Sequence, residues 1–186
     1  MKKIIQEVRQ AMKAEIRKHM KLGNDNFIST SSAELRRKTA EEGQTPYAIV
    51  ICCSDSRVIP EQIFSAEIGD LFVIRVAGNV LDNHQMGSIE YAASHLHCDQ
   101  IIVLGHTGCG AVSAALSGHS DGFIKYITDD IQEAIGNEKD PDKACRLNVI
   151  HAMDRLEQDF DQHPEIEKVD ISGAVYDIVS GQVEWL

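Results

Sequence analysis

The chain has 186 residues, 43% hydrophobic and 25% charged, with a formal net charge of −11. That length is enough for one domain with a proper core, and the composition is that of an ordinary soluble globular protein. The negative charge excludes a groove that neutralises nucleic-acid phosphates, and no apolar run approaches the ~18 residues of a membrane span. Gln6, Glu7, Arg9 and Gln10 interrupt the stretch after the first lysines, so no signal peptide is expected. Five cysteines, two of them adjacent (Cys52 and Cys53), make a poor disulfide framework. They fit a reducing compartment, and a cytoplasmic location is expected.

Residues 2–21 place Ile4, Val8, Met12, Ile16 and Met20 at four-residue steps, an apolar helical stripe with a basic opposite face. A basic amphipathic helix can lie on a membrane surface. This stripe lacks Trp and Phe, which favours packing on another subunit or on the chain's own core. Gly23-Asn24-Asp25-Asn26 is expected to end the helix. Ser31 or Ser32 then caps a second helix over 33–42, stopped by Gly43.

Tyr47 to Cys53 is apolar and β-prone, bounded by Pro46 and Ser54, and reads as a fully buried parallel strand. It delivers Cys53, Asp55 and Arg57 at its carboxyl end, where open parallel sheets place their ligand crevice. A short helix over 60–64 and a second strand over 71–76 follow. Ala77-Gly78-Asn79 is a turn with small side chains that permits close backbone approach. Residues 88–96 are helical. His95, His97 and Cys98 near that end have loose spacing, and exposed histidines beside a buried thiol explain them better than a metal.

A third strand, Gln100 to Leu104, runs into Gly105-His106-Thr107-Gly108-Cys109-Gly110. Cys109 then opens a helix over 111–116, whose dipole favours thiolate over thiol. Helices over 121–135 and 142–160, a strand over 168–178 and a hairpin at Gly181 into 182–186 complete the chain. Asp129-Asp130 and Glu157 to Asp161 are solvated faces. The alternation predicts a single α/β domain over 1–186, with 1–43 as its helical arm. Its sheet is mostly parallel, carries an antiparallel edge strand and is flanked by helices.

His106 and Cys109 are three apart, and with Cys53 they offer two thiolates and an imidazole from two strand ends. That donor set suits tetrahedral zinc with a fourth position open. Either half alone is equally compatible with ordinary buried cysteines and a satisfied loop histidine. Both halves at strand ends favour the metal.

Cys53-Ser54-Asp55-Ser56-Arg57 with Gly105-His106-Thr107-Gly108-Cys109-Gly110 resembles the paired signature of the β-class carbonic anhydrases. The similarity extends over Gln44 to Leu116, including Gly69 to Arg75 and Ala77-Gly78-Asn79, and over Ile171 to Gly181. The resemblance implies one zinc ion per subunit on Cys53, His106 and Cys109. It also implies reversible hydration of carbon dioxide to bicarbonate and a proton by hydroxide on that zinc, oriented by Asp55 and Arg57. In a closed state Asp55 would leave Arg57 and become the fourth ligand.

Gln44, Phe72, Ala77 and Tyr91 match the family's substrate pocket, with Ala77 where plant enzymes carry valine. The backbone at Gly108 or Gly110 is placed to bond a substrate oxygen. Val50 and Cys52 stand where relatives with an inhibitory bicarbonate site carry tryptophan and glycine, which implies the open type. The family pocket lies at a dimer interface wrapped by N-terminal helices, so a homo-oligomer, at least a dimer, is implied. His84 and His119 are candidates for proton exit. Hydrolysis of carbonyl sulfide or carbon disulfide on the same scaffold, or a non-catalytic zinc or bicarbonate sensor, remain alternatives. A redox role for Cys52 and Cys53 lacks a Cys-x-x-Cys.

Overall fold

The computed structural model describes residues 2–163 and 169–186. The chain forms two compact units, one up to Gly43 and one from Gln44 to Leu186.

In the first unit, α1 (Lys2–Thr30) is 29 residues long, about 44 Å at the α-helical rise. The expected stop at Gly23–Asn26 does not occur. A glycine ends a helix by taking a left-handed conformation, and Gly23 is absent from the residues with positive φ. Termination falls instead where Ser29 and Thr30 bond back to the Asn26 carbonyl, and Ser31 to that of Phe27. Val8, Met12, Ile16 and Met20 are all more than half exposed, so the stripe is an open apolar face; the side chain of Ile4 lies outside the described ones. Ser32 caps α2 (Ala33–Glu42) through the Leu35 N–H, and Gly43 follows at φ 86°.

The second unit is built on a five-stranded sheet in the order β2-β1-β3-β4-β5. Its strands are β1 (Ala48–Cys52), β2 (Leu71–Arg75), β3 (Gln100–His106), β4 (Asp170–Tyr176) and β5 (Val183–Trp185). All neighbours run parallel except β4 and β5, which matches the mixed sheet read from the sequence. Lys168, the expected start of β4, lies outside the described residues. The helices are α3 (Pro60–Ile63), α4 (Asn83–His95), α5 (Gly110–Ser117), α6 (Ile124–Ile135) and α7 (Pro141–Asp161). No helix among the described residues is long and apolar enough to cross a membrane.

Every residue of β1 is buried, because the pleat sends alternate side chains into cores on opposite faces. Ile49 and Ile51 join Ile89 of α4 and Val149 and Leu156 of α7. Val50 and Cys52 join Val58, Leu104 and Ala174, with Ile63 and Phe64 against them. Each fully buried Ile or Val contributes about 1.5–3 kcal/mol by leaving water. Cys52 is thereby a core side chain, and burial pushes its thiol up to about 12.

Helix α7 lies very close to the sheet. A Cβ on Gly105 would sit 2.5 Å from Val149 Cγ2, and one on Gly173 would sit 2.9 Å from Val149 Cγ1. The two glycines belong to neighbouring strands, β3 and β4, and let α7 settle over them. Replacing Gly105 with Ala is expected to destabilise the protein by about 1–3 kcal/mol through overpacking. Urea denaturation should show a lower midpoint at unchanged slope; an unchanged midpoint would contradict the close approach.

Candidate metal centre

The strand order reverses between β1 and β3, and open parallel sheets place their ligand region at the carboxyl ends of the strands beside such a switch point. Three of the side chains singled out in the sequence meet there. Cys53 is the first residue after β1, His106 is the last of β3, and Cys109 caps α5. Their ligand atoms all lie within 4.8 Å of one another, and all three residues are buried. Among the described residues this is the one such group. Cys98 is buried and His95 and His97 are exposed, as expected for residues outside a metal site.

Each donor is held by its neighbours. The Cys53 sulfur accepts the Gly78 N–H at 3.2 Å and the Asp55 N–H at 3.4 Å. His106 Nδ1 lies 3.0 Å from the Thr107 carbonyl, a contact that places the ring proton on Nδ1 and leaves Nε2 with a free lone pair. That Nε2 is buried and has no hydrogen-bond partner. A buried polar atom without a partner is costly, and a cation held jointly with two sulfurs would satisfy it.

The neighbouring Cys109 lowers the Cys53 thiol well below the usual range; burial opposes this, and His106 and the amides of Gly78 and Asp55 add to it. Cys109 is raised by Cys53 beside it and by burial, while the start of α5 pulls it down. Two soft sulfurs, one of them inclined to the thiolate, and an imidazole within reach of both make a set that a zinc-like dication would complete by displacing the remaining proton. The residues present therefore fit such an ion.

Asp55 and Arg57 lie beside this group, in the turn after β1 rather than on the strand. Their pairing comes from that turn, closed by the Val58 N–H on the Asp55 carbonyl. Arg57 grips the carboxylate with both prongs, Nε to Oδ1 at 2.9 Å and Nη2 to Oδ2 at 2.7 Å, and its backbone N–H adds a third bond to Oδ1 at 2.9 Å. These bonds hold the Asp55 carboxyl well below the usual carboxylate range. Arg57 Nη2 also reaches the Gly108 carbonyl at 3.3 Å. Arg75, at the end of β2, was not picked out from the sequence. It donates to the Asp55 carbonyl at 2.8 Å and the Cys53 carbonyl at 3.4 Å, tying down the loop that carries both residues.

The remaining candidates are less concentrated. Phe72 and Tyr91 meet each other with ring centroids 6.3 Å apart, and Phe72 packs in the cluster of Ile74 and Ile89. Cys53 and Cys109 belong to a different cluster, with Val112 and Ile131. Ala77 begins the short 3-10 turn Ala77–Asn79, and Gly110 opens α5. Gln44 is exposed in the segment before β1. His84 is exposed beside Asp82, and His119 bonds Ser117.

A cysteine–histidine–cysteine group at the switch point of a mostly parallel sheet defines an α/β protein with a site that could hold a metal ion. Comparison with known proteins makes the class specific. The carbonic anhydrase family model matches residues 48–183. The chain is 42% identical over 122 residues to carbonic anhydrase 2 of Mycobacterium tuberculosis, a match covering 62% of this chain and 59% of that protein. It is 34% identical over 173 residues to a carbonic anhydrase of Pseudomonas aeruginosa, covering 80% of this chain and 77% of that one. Among solved structures, a Coccomyxa β-carbonic anhydrase in complex with acetazolamide superposes with a TM-score of 0.71 at 26% identity, over 93% of this chain and 85% of that one. A tetrameric β-carbonic anhydrase of Sordaria macrospora shares the fold with a TM-score of 0.71 at 24% identity, over 90% of this chain and 95% of that one. The chain belongs to the β-carbonic anhydrase family.

Replacing His106 or Cys109 with Ala is expected to abolish stoichiometric metal uptake, read by elemental analysis of protein purified with zinc present. One metal per chain in either variant would contradict the assignment of the ligands.

Proposed function

We propose that the protein hydrates carbon dioxide reversibly to bicarbonate and a proton at a zinc ion held by Cys53, His106 and Cys109. The observation that carries this reading is the unpartnered, buried Nε2 of His106 in a group whose other two ligand atoms, the Cys53 and Cys109 sulfurs, complete a set lying within 4.8 Å of one another. Zinc would supply the Lewis acidity that makes water a nucleophile near neutral pH.

The chain's own residues do the rest. Arg57 keeps Asp55 ionised, and an ionised carboxylate only accepts hydrogen bonds. Asp55 therefore takes a proton-bearing edge of the attacking water and turns its lone pair toward the substrate carbon. The bidentate clamp also holds Asp55 on Arg57, which favours an open metal position over Asp55 as a ligand. The backbone at Gly108 and Gly110, beside the start of α5, is placed to hydrogen-bond a substrate oxygen. Phe72, Ala77 and Tyr91 supply apolar wall for a small linear molecule, and Gln44 a polar contact to it.

Phe72 and Tyr91 meet each other in a cluster separate from that of Cys53 and Cys109, and a second copy of the chain would complete the pocket. The exposed Val8, Met12, Ile16 and Met20 stripe supports an assembly of at least a dimer.

Replacing Asp55 with Asn keeps the shape and removes the charge that Arg57 holds. Stopped-flow carbon dioxide hydration is expected to fall by about 10²–10⁴-fold with zinc content unchanged; activity within threefold of the unaltered protein would sink the role given to Asp55. Replacing Ile16 with Glu should shift light-scattering mass toward the monomer, and an unchanged mass would remove the stripe from the interface.

A further inference from the structure

One buried polar side chain of α7 connects to the metal centre without touching it. Asn148 is 3% exposed, on a helix face otherwise occupied by Ala144, Cys145, Val149 and Ala152. Its Nδ2 donates to the Gly78 carbonyl at 2.8 Å, a buried bond between residues 70 apart in sequence. Gly78 in turn donates its N–H to the Cys53 sulfur at 3.2 Å.

Gly78 needs such a tether. It sits at φ 69° and ψ 14°, inside the turn after β2. A glycine reaches that region and its mirror image about equally readily, so local preference does not select the conformation that aims the N–H at sulfur. The space around it allows no side chain, since a Cβ would lie 2.7 Å from Ile131 Cδ1 and 3.0 Å from Ala111 Cβ. The neighbouring Asn79 closes the turn through its backbone N–H, 3.0 Å from the Val76 carbonyl, while its side-chain Nδ2 is buried without a partner. Asn148 adds a side-chain bond to the carbonyl of that same peptide unit, holding it from the other side.

We propose that Asn148 is a positioning residue of the metal centre: by fixing Gly78 it keeps an N–H···S hydrogen bond on the Cys53 thiolate and tunes how tightly that ligand holds the metal. The proposal rests on the metal-centre reading above. Partners of this kind, one bond removed from a ligand, commonly set metal affinity by about 10–100-fold. A donor on a thiolate also withdraws charge from it, so its loss changes the sulfur–metal bond and not merely the stability of the fold.

The test uses the full chain loaded with cobalt(II) for spectroscopy and cadmium-113 for magnetic resonance. Replacing Asn148 with Ala is expected to raise the metal dissociation constant, measured by chelator competition, by about 10–100-fold. It should also shift the sulfur-to-cobalt charge-transfer band and remove the coupling between cadmium and the Gly78 amide proton, while the coupling to the Asp55 amide survives. Asn148→Ser, which leaves a smaller void but cannot span to the Gly78 carbonyl, should act the same way if Asn148→Ala does not fold. Val149→Ala, on the same helix, should lower thermal stability and leave the dissociation constant and the band unchanged. A folded Asn148 variant with the unaltered protein's affinity and spectrum overturns the inference alone. An unaltered protein that takes up no stoichiometric metal overturns the metal centre, and this inference with it.

Discussion

Two soft sulfurs and an imidazole nitrogen are brought within 4.8 Å of one another in a place that water hardly reaches, and the surrounding fold is arranged to make that tolerable. Two buried sulfurs next to a buried imidazole nitrogen with no partner would be a net liability in a core. The liability is offset in part by amide donors on Cys53, from Gly78 and Asp55. A divalent cation would remove what remains. The chain has thus placed a site of latent charge where a parallel sheet opens, at the switch between β1 and β3.

The packing serves that placement. β1 is buried on both faces, so its end is fixed by two cores at once. Glycines at 105 and 173 let α7 approach the sheet, and α7 carries Cys145, packed in the cluster of Cys53 and Cys109, and Asn148, which bonds the Gly78 carbonyl. The outer rim is electrostatic. Arg57 holds the Asp55 carboxylate, while Arg75 holds the backbone beneath it. One guanidinium sets the charge state of the acid and the other sets where its loop sits.

Much of this was legible in the sequence because it follows from local rules. An apolar β-prone run ending in Cys53, and a second ending at Leu104 just before His106, marked the strands and their ligands, and the structure carries the second strand on to His106 itself. The small side chains of Ala77-Gly78-Asn79 signalled a close backbone approach, realised as the 3.2 Å bond to sulfur. Less local features were not legible. Asn148 sits in an amphipathic repeat where a polar residue reads as solvent-facing, and its partner is 70 residues away. Arg75 ends a strand where an exposed cation needs no explanation. Gly23-Asn24-Asp25-Asn26 carries the residue types of a helix stop, yet the helix continues to Thr30, since an interior glycine costs only about 1 kcal/mol. Phe72, Tyr91 and Gln44 entered through resemblance, and their contacts within this chain do not by themselves assemble a pocket.

The account stands on which atoms hold the metal, and X-ray absorption at the zinc edge of the loaded, full-length protein reads that directly. It predicts two sulfurs at about 2.3 Å, one nitrogen at about 2.0 Å and a single further light atom. A first shell without sulfur, or one with four sulfurs, would contradict it.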